Sequence, residues 1–435
     1  MNTPIADFVN NYTKSNKARL HMPGHKGVQF LGIEQFDITE IKGADELYSP
    51  EGIILQSEEN ASALFSTKKT VYSAGGSSQS INAMLYLAKI RSNSNTVFAA
   101  RNAHKAFLYA CAKIDCDIHW LYPEGSSHLC SCIITDKILA EALKTAETLP
   151  FAVYITSPDY LGRMADIKSL SAICRQYNVP LLVDNAHGSY LAFCEDNLHP
   201  TALGADMCCD SAHKTLPVLT GGGYLHIAKD DLFYFSERAV QAMEIFGSTS
   251  PSYLILQSLD LCNKYIYEKI RDDLSACQSK IEAIRSVMPV PDVSQEPLKI
   301  TADMRCVANK DVFEKNGIEP EFTDGDFTVF MLTPQNSDED FAKLKSAFSQ
   351  MQIVKIICEN TPAIPRGVQK ITVREAIFSQ SETVDVEKAI GRICAAPTVS
   401  CPPAIPIAVS GEEITTQHIE LFEKYNINHI SVVKK

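Results

Sequence analysis

The run Pro180-Leu-Leu-Val-Asp184-Asn-Ala186-His187-Gly ends a stretch of apolar residues in an acid, and Lys214 stands thirty residues after that acid. Lys214 lies in Asp210-Ser211-Ala-His213-Lys214-Thr, with Thr220-Gly-Gly-Gly223 close behind. An acid at the end of a buried strand and a lysine on a short polar turn are what pyridoxal phosphate (PLP) chemistry requires. The lysine carries the cofactor aldehyde as a Schiff base, and the acid keeps the pyridine nitrogen protonated, so that the ring becomes an electron sink. Taken singly, each residue has a plainer role: Asp184 as an N-cap after a strand, Lys214 as a surface lysine. Together they make Lys214 and Asp184 the candidate catalytic pair. Ser211 and His213 are candidate phosphate contacts, Ala186 is placed to pack under a ring, and His187 is placed near the phenolic oxygen or the substrate.

A phosphate needs its own cradle. Tyr72-Ser-Ala-Gly75-Gly76-Ser77-Ser78-Gln joins a predicted strand to a predicted helix. Its glycines let backbone N–H groups approach an anion, and a helix N-terminus favours negative charge. Gly76, Ser77 and Ser78 are therefore candidate cofactor contacts. His104, in Arg101-Asn-Ala-His104-Lys105, is the candidate aromatic plate over a ring face.

The elements that must position these residues alternate. Short apolar runs at Val97–Ala100, Ile118–Tyr122, Phe151–Thr156, Leu181–Asp184, Met207–Cys209 and Gly223–Ile227 read as strands. Between them helical periodicity appears: a helix capped by Ser77 with Ile81, Met84, Leu85 and Ala88 on one face, then His104–Ala112, Lys137–Glu147 capped by Thr135, and Ile167–Tyr177. This alternation predicts an α/β fold: a mainly parallel central sheet with helices on both faces. In such sheets ligands sit at the carboxyl ends of the strands, where Asp184, Ser211, His213 and Lys214 fall. A long helical region spans Leu254–Val287 and breaks at Pro289-Val-Pro291. Beyond it, expected strands at Leu298–Cys306, Phe327–Leu332 and Ile353–Cys358 alternate with expected helices at Asp338–Met351, Val384–Cys394 and Thr416–Tyr425. The expected organisation is an N-terminal arm with a large cofactor domain over 1–290, and a small C-terminal α+β domain over 291–435.

Bulk properties narrow the classes. The 435 residues exceed one compact core. Composition is 45% apolar and 21% charged, as in soluble globular proteins. A net charge of −12 argues against a nucleic-acid or anionic-membrane surface. No apolar run reaches transmembrane length, and the first residues carry no secretory signal, so a cytoplasmic location is expected. The 14 cysteines are scattered; Cys130-Ser-Cys132 and Cys208-Cys209 lack zinc-site spacing, and no metal is expected.

The ordered set of motifs resembles the ornithine/lysine/arginine decarboxylase family of type I PLP enzymes, in the short form without an N-terminal receiver-like domain. The matching pieces are His21-Met-Pro-Gly-His25-Lys26-Gly27, Phe36-Asp-Ile-Thr-Glu40, Gly43-Ala-Asp45, Gly75–Gln79, Arg101–Lys105, Asp184–Gly188, Ser211–Thr215, Cys401-Pro-Pro-Ala-Ile-Pro406 and Gly411-Glu412. The resemblance implies a type I transferase-like fold and decarboxylation of a basic amino acid (arginine, lysine or ornithine) to an amine and CO2, the entry chemistry of polyamine biosynthesis. It assigns PLP to Lys214, the ring nitrogen to Asp184, ring stacking to His104 and the basic substrate tail to Glu412. It also implies a homodimer or higher homo-oligomer with shared sites, for which the arm around His25 supplies a substrate contact. The chain departs from the family pattern at Asn185, where an acid is usual, at Ala74-Gly75-Gly76, and at Cys401, where an aromatic residue is usual. The alternatives are another PLP reaction, with Arg366 or Arg374 holding a substrate carboxylate as in transaminases, or a PLP-binding protein without catalysis.

Overall fold

The computed structural model describes residues 1–125, 128–354, 364–399 and 404–435. Seven strands run in chain order: β1 (Lys69–Ser73), β2 (Thr96–Ala100), β3 (Asp117–Leu121), β4 (Ala152–Thr156), β5 (Leu181–Asp184), β6 (Met207–Asp210) and β7 (Gly223–Ile227). By its own contacts the chain divides into two interleaved units: Met1–Ser92 with Cys174–Leu274, and Asn93–Ile173 with Ser275–Lys435.

In the first unit the strand order is β1-β7-β6-β5. β5 and β6 are parallel, whereas β7 runs antiparallel to β6 and to β1. β5, β6 and β7 are buried at every residue, the mark of strands covered on both faces, which is why they read as unbroken apolar runs. Helix α1 (Pro4–Lys14) starts with proline in its first turn, and Asp260 Oδ2 accepts the otherwise unpaired N–H groups of Ile5 and Ala6 at 2.9 and 3.0 Å. α2 (Ile53–Phe65) places Glu58 against β1, where its Oε1 accepts the Tyr72 N–H at 2.8 Å. α3 (Gly76–Lys89) leaves the end of β1 and buries most of its length. Its N-cap is Gly75, so Ser77 lies inside the first turn rather than capping it as the sequence suggests.

In the second unit β2 pairs parallel with both β3 and β4. α4 (Lys105–Ile114) follows β2, capped by His104. The C-terminal part is α+β: an antiparallel sheet of β8 (Lys299–Asp303), β9 (Phe322–Thr323) and β10 (Phe327–Met331), and a strand pair Ser381–Asp385 with His429–Val433. Leu161, Val329, Ile407, Phe422 and Val432 meet in one core there.

Both fold expectations, a mainly parallel sheet with helices and a small C-terminal domain, hold. Two elements differ. The expected helix Val384–Cys394 is instead the end of the strand Ser381–Asp385, then a 3-10 turn Val386–Lys388. Gly391 has φ of 75°, which a helix does not permit, and the strand is recruited by a partner almost fifty residues downstream. The region read as one long helix is two, Tyr253–Glu268 and Ile270–Arg285. The expected strand from Ile353 runs largely outside the described residues, as do Cys401, Pro402 and Pro403.

Candidate active site

The turn after β1 is built to receive an anion. Gly76 has φ of 64°, and its N–H donates to Gly221 O at 2.7 Å. Gln79 holds the turn from beneath: its Oε1 lies 2.9 Å from Ser73 Oγ, and its Nε2 donates to Tyr48 Oη and Met243 O, each at 2.8 Å. The start of α3 therefore presents N–H groups with no partner inside the helix, together with the Ser77 hydroxyl. Ser211 Oγ lies 2.8 Å from Ser77 Oγ, so two hydroxyls from distant segments converge at this helix end. Ser78 is exposed on the same turn.

Lys214 rides on the single helical turn Ala212–Thr215 that follows β6. His213 is pinned behind it: its N–H and its Nδ1 both lie on Gly222 O, at 3.2 and 2.8 Å. Burial, then the neighbouring Lys214 charge, holds the His213 imidazole below its usual pKa and favours the neutral ring. The glycines behind this turn serve close approach. A Cβ on Gly223 would fall 2.7 Å from Asp210 O, and one on Gly222 would collide with Val218.

Past the end of β5 the His187 imidazole faces this turn. Lys214 Nζ and His187 Nε2 are 3.0 Å apart, within proton-transfer distance. Asp184 is 2% exposed; its Oδ1 accepts the Ala186 N–H at 3.2 Å and faces Cys209 Sγ at 3.6 Å. Ala186 is buried beside it. The next residue, Asn185, turns away: its Nδ2 donates to Asp210 Oδ1 at 2.7 Å.

Three further site residues predicted from sequence are each held by neighbours of their own. His25 sits on the N-terminal arm of the first unit, with Nδ1 accepting the Gly27 N–H at 3.0 Å and Nε2 on Asp37 Oδ2 at 3.2 Å. His104 and Glu412 belong to the second unit. His104 Nδ1 accepts the Ala106 N–H at 3.1 Å, which leaves the ring proton on Nε2. Glu412 is 1% exposed. Its Oε2 accepts the Val409 N–H at 2.9 Å and stands 3.9 Å from Arg101 Nη2 and 3.7 Å from His418 Nε2. Arg101 is fully buried and donates to Pro406 O and Ile407 O at 2.8 and 2.9 Å, so the same side chain ties down the segment that carries Glu412. Arg374 donates to Ala112 O at 2.7 Å, at the C-terminal end of α4, and Arg366 lies over the Tyr122 ring at 4.8 Å. Sequence reasoning passed over Gln79, Asp210, His199 and His226. Gln79 was legible as the residue after two glycines and two serines; the others carry no local signal.

Pyridoxal phosphate fits this donor set. A lysine amine touches an imidazole, a buried carboxylate closes the adjoining strand, and two serine hydroxyls meet at a helix N-terminus beside a glycine-lined approach. Fold and site together define an α/β enzyme of the type I PLP class. Residues 3–368 match the family described as Orn/Lys/Arg decarboxylase, major domain, and residues 360–427 match its C-terminal domain. The chain belongs to the Orn/Lys/Arg decarboxylase family, and it is a PLP-dependent decarboxylase of the basic amino acid class. It is similar to an arginine decarboxylase of Bacillus subtilis, 27% identical over 466 residues that cover 97% of this chain and 93% of the relative. The uncharacterized protein YaaO of the same organism is 27% identical over 454 residues, with the same coverage of both chains. Among solved structures, the lysine decarboxylase LdcF of Francisella novicida superimposes with a TM-score of 0.79 at 16% identity, over 99% of this chain and 81% of that one. That likeness supports the fold.

Proposed function

We propose that the substrate is arginine, and that the chain converts it with one proton to agmatine and CO2. The support is the match in length and sequence to arginine decarboxylases, of which it covers almost the whole span. The observation that carries the chemistry is the Lys214–His187 contact beside Asp184. When bound, PLP supplies an aldehyde that captures the substrate amine and a ring that takes up the electron pair left by the departing carboxylate. Asp184, in its buried setting, holds a proton against the ring nitrogen. Ser77, Ser211 and the first N–H groups of α3 bind the phosphate and orient the ring. Lys214 Nζ and His187 Nε2 pass a proton between them, and Lys214 delivers one to Cα after CO2 has left. His104 takes the ring face, Glu412 the cationic tail, and His25 a substrate contact from the arm, all as part of this proposal.

Arginine fits a buried carboxylate because a guanidinium offers paired donors in a fixed plane. A transaminase reading needs a free arginine for the substrate carboxylate, and Arg374 is already committed to the carbonyls of α4. Within the same proposal the domain boundary falls at 290/291, the protein acts in the cytoplasm, and its product enters polyamine biosynthesis. Buried free thiols throughout the described residues suit a reducing compartment. The protein further works as a homodimer or larger homo-oligomer, supported by an arm that exposes Leu20, Phe30 and Leu31. The test is release of labelled CO2 from carboxyl-labelled arginine, lysine and ornithine by the holoenzyme, with Lys214→Ala as control. Arginine should give the highest kcat/KM. Faster release from lysine or ornithine overturns the substrate assignment, and a keto acid product overturns the reaction.

A further inference from the structure

Behind the lysine turn lies a buried charge that the chemistry above leaves unused. Asp210 is the last residue of β6 and immediately precedes Ser211. It is fully buried, as are Asn185, His199 and His226. Its Oδ1 accepts from Asn185 Nδ2 at 2.7 Å. Its Oδ2 faces His199 Nε2 at 3.2 Å and His226 Nε2 at 3.3 Å. Each imidazole is fixed from its other nitrogen: His199 Nδ1 lies 2.8 Å from Thr201 Oγ1, and His226 Nδ1 lies 2.8 Å from Thr70 Oγ1.

A lone buried carboxylate takes up a proton, because burial penalises its charge. Burial does raise the Asp210 pKa, but His199 and His226 outweigh it and hold the carboxyl well below the usual range. The group is an anion that accepts from Asn185 and His199 and has the His226 ring 3.3 Å away on a third side. Those groups are not scattered. Asn185 follows Asp184 at the end of β5, and its own N–H donates to Cys209 O of β6 at 3.0 Å. His226 lies on β7 opposite Cys208, and Thr70 on β1 opposite His226. One charge thus links the four strands of the first unit: the ends of β5 and β6 directly, and β7 and β1 through His226 and Thr70, which lie further along those strands.

We propose that Asp210 is a positioning residue for the coenzyme: through Asn185, His199 and His226 its carboxylate fixes the end of β5, with Asp184, against the Ser211–Lys214 turn. The inference rests on the reading that Asp184 and Lys214 hold PLP. It gives Asn185 a role, since a second acid at that position would meet Asp210 as a like charge. Charge-assisted hydrogen bonds are about twice as strong as neutral ones, so an isosteric amide at position 210 keeps the shape and loosens the clamp.

Borohydride reduction of the wild-type holoenzyme with peptide mapping comes first; an adduct at Lys214 establishes the underlying reading independently, and its absence fails that reading rather than this one. Asp210→Asn is then compared with the double variant Asn185→Asp/Asp210→Asn. In the double variant the carboxylate returns on the other side of the same hydrogen bond: the introduced amide at position 210 donates to the introduced carboxylate at position 185, and the amide oxygen faces the two imidazoles. Asp210→Asn should weaken PLP binding about tenfold, equal to about 1.4 kcal/mol, and reduce the visible circular dichroism of the bound coenzyme. The double variant should recover to within about threefold of wild type by the same constant. A purely structural role predicts a lower melting temperature with unchanged PLP affinity and dichroism; that outcome overturns the proposal, as does a double variant no better than the single. If Asp210→Asn does not fold, Thr70→Val removes the hydroxyl behind His226 and should weaken PLP binding in the same direction; unchanged affinity there is equally fatal.

Discussion

Lys214 and His187 come from segments twenty-seven residues apart and meet at 3.0 Å, and that contact dictates the first test. Lys214→Ala should lower decarboxylation by at least about a thousandfold and abolish the reduced adduct, since it removes both the amine that anchors PLP and a proton donor. His187→Gln should keep the adduct and lower kcat by about a hundredfold, the lower end for loss of one acid–base group. An intact kcat in His187→Gln assigns the proton to another group. At this scale the sequence was informative where chemistry imposes a residue type. A lysine after a strand end and an acid ending an apolar run were visible together because PLP needs both. The Asp210 clamp was not visible, because His199 and His226 are ordinary residues until folding brings them to one carboxylate. The Glu412 surroundings were equally hidden: nothing local shows that Arg101, more than three hundred residues earlier, stands 3.9 Å from it.

Elements carry their own titratable strain. Glu58 of α2 is buried against β1, and burial, only partly offset by the Tyr72 N–H and by Lys69, pushes its pKa up to about 8. An unfolded glutamate titrates at its usual value, well below that. Between the two values the native state holds a proton that the unfolded state has released, so stability falls as pH rises, by about 1.4 kcal/mol per pH unit for one proton. Glu58→Gln, which keeps the acceptor for Tyr72, should flatten that dependence by one proton between roughly pH 5 and pH 8. Urea unfolding across that range measures it, and identical slopes for the two proteins would refute the buried protonated acid. Elements were also where the sequence reading was most and least successful. Buried parallel strands such as Leu181–Asp184 announce themselves because both faces must be apolar. The segment after Val384 misled because its helical spacing is local, while its pairing with His429–Val433 is not.

For the whole molecule, the N-terminal arm sets the expectation. Leu20, Phe30 and Leu31 are 93%, 79% and 84% exposed, an apolar run that a chain acting alone gains nothing by displaying. Phe30→Asp with Leu31→Asp should shift the sedimentation coefficient toward that of a single chain and lower activity. An unchanged assembly with full activity would remove the arm from any role in oligomerisation.

The sequence by itself determined the chemistry and the class of fold. PLP imposes a lysine, an acid and an anion turn at the ends of strands, and a parallel sheet imposes apolar runs alternating with helices; both leave local, readable patterns. Tertiary structure alone decided which polar groups are buried together: Asp210 between two histidines, Glu412 beside Arg101, Gln79 under the glycine turn. Those pairings are set by the cost of burying charge without a partner, which depends on where the chain returns and leaves no mark at any one position.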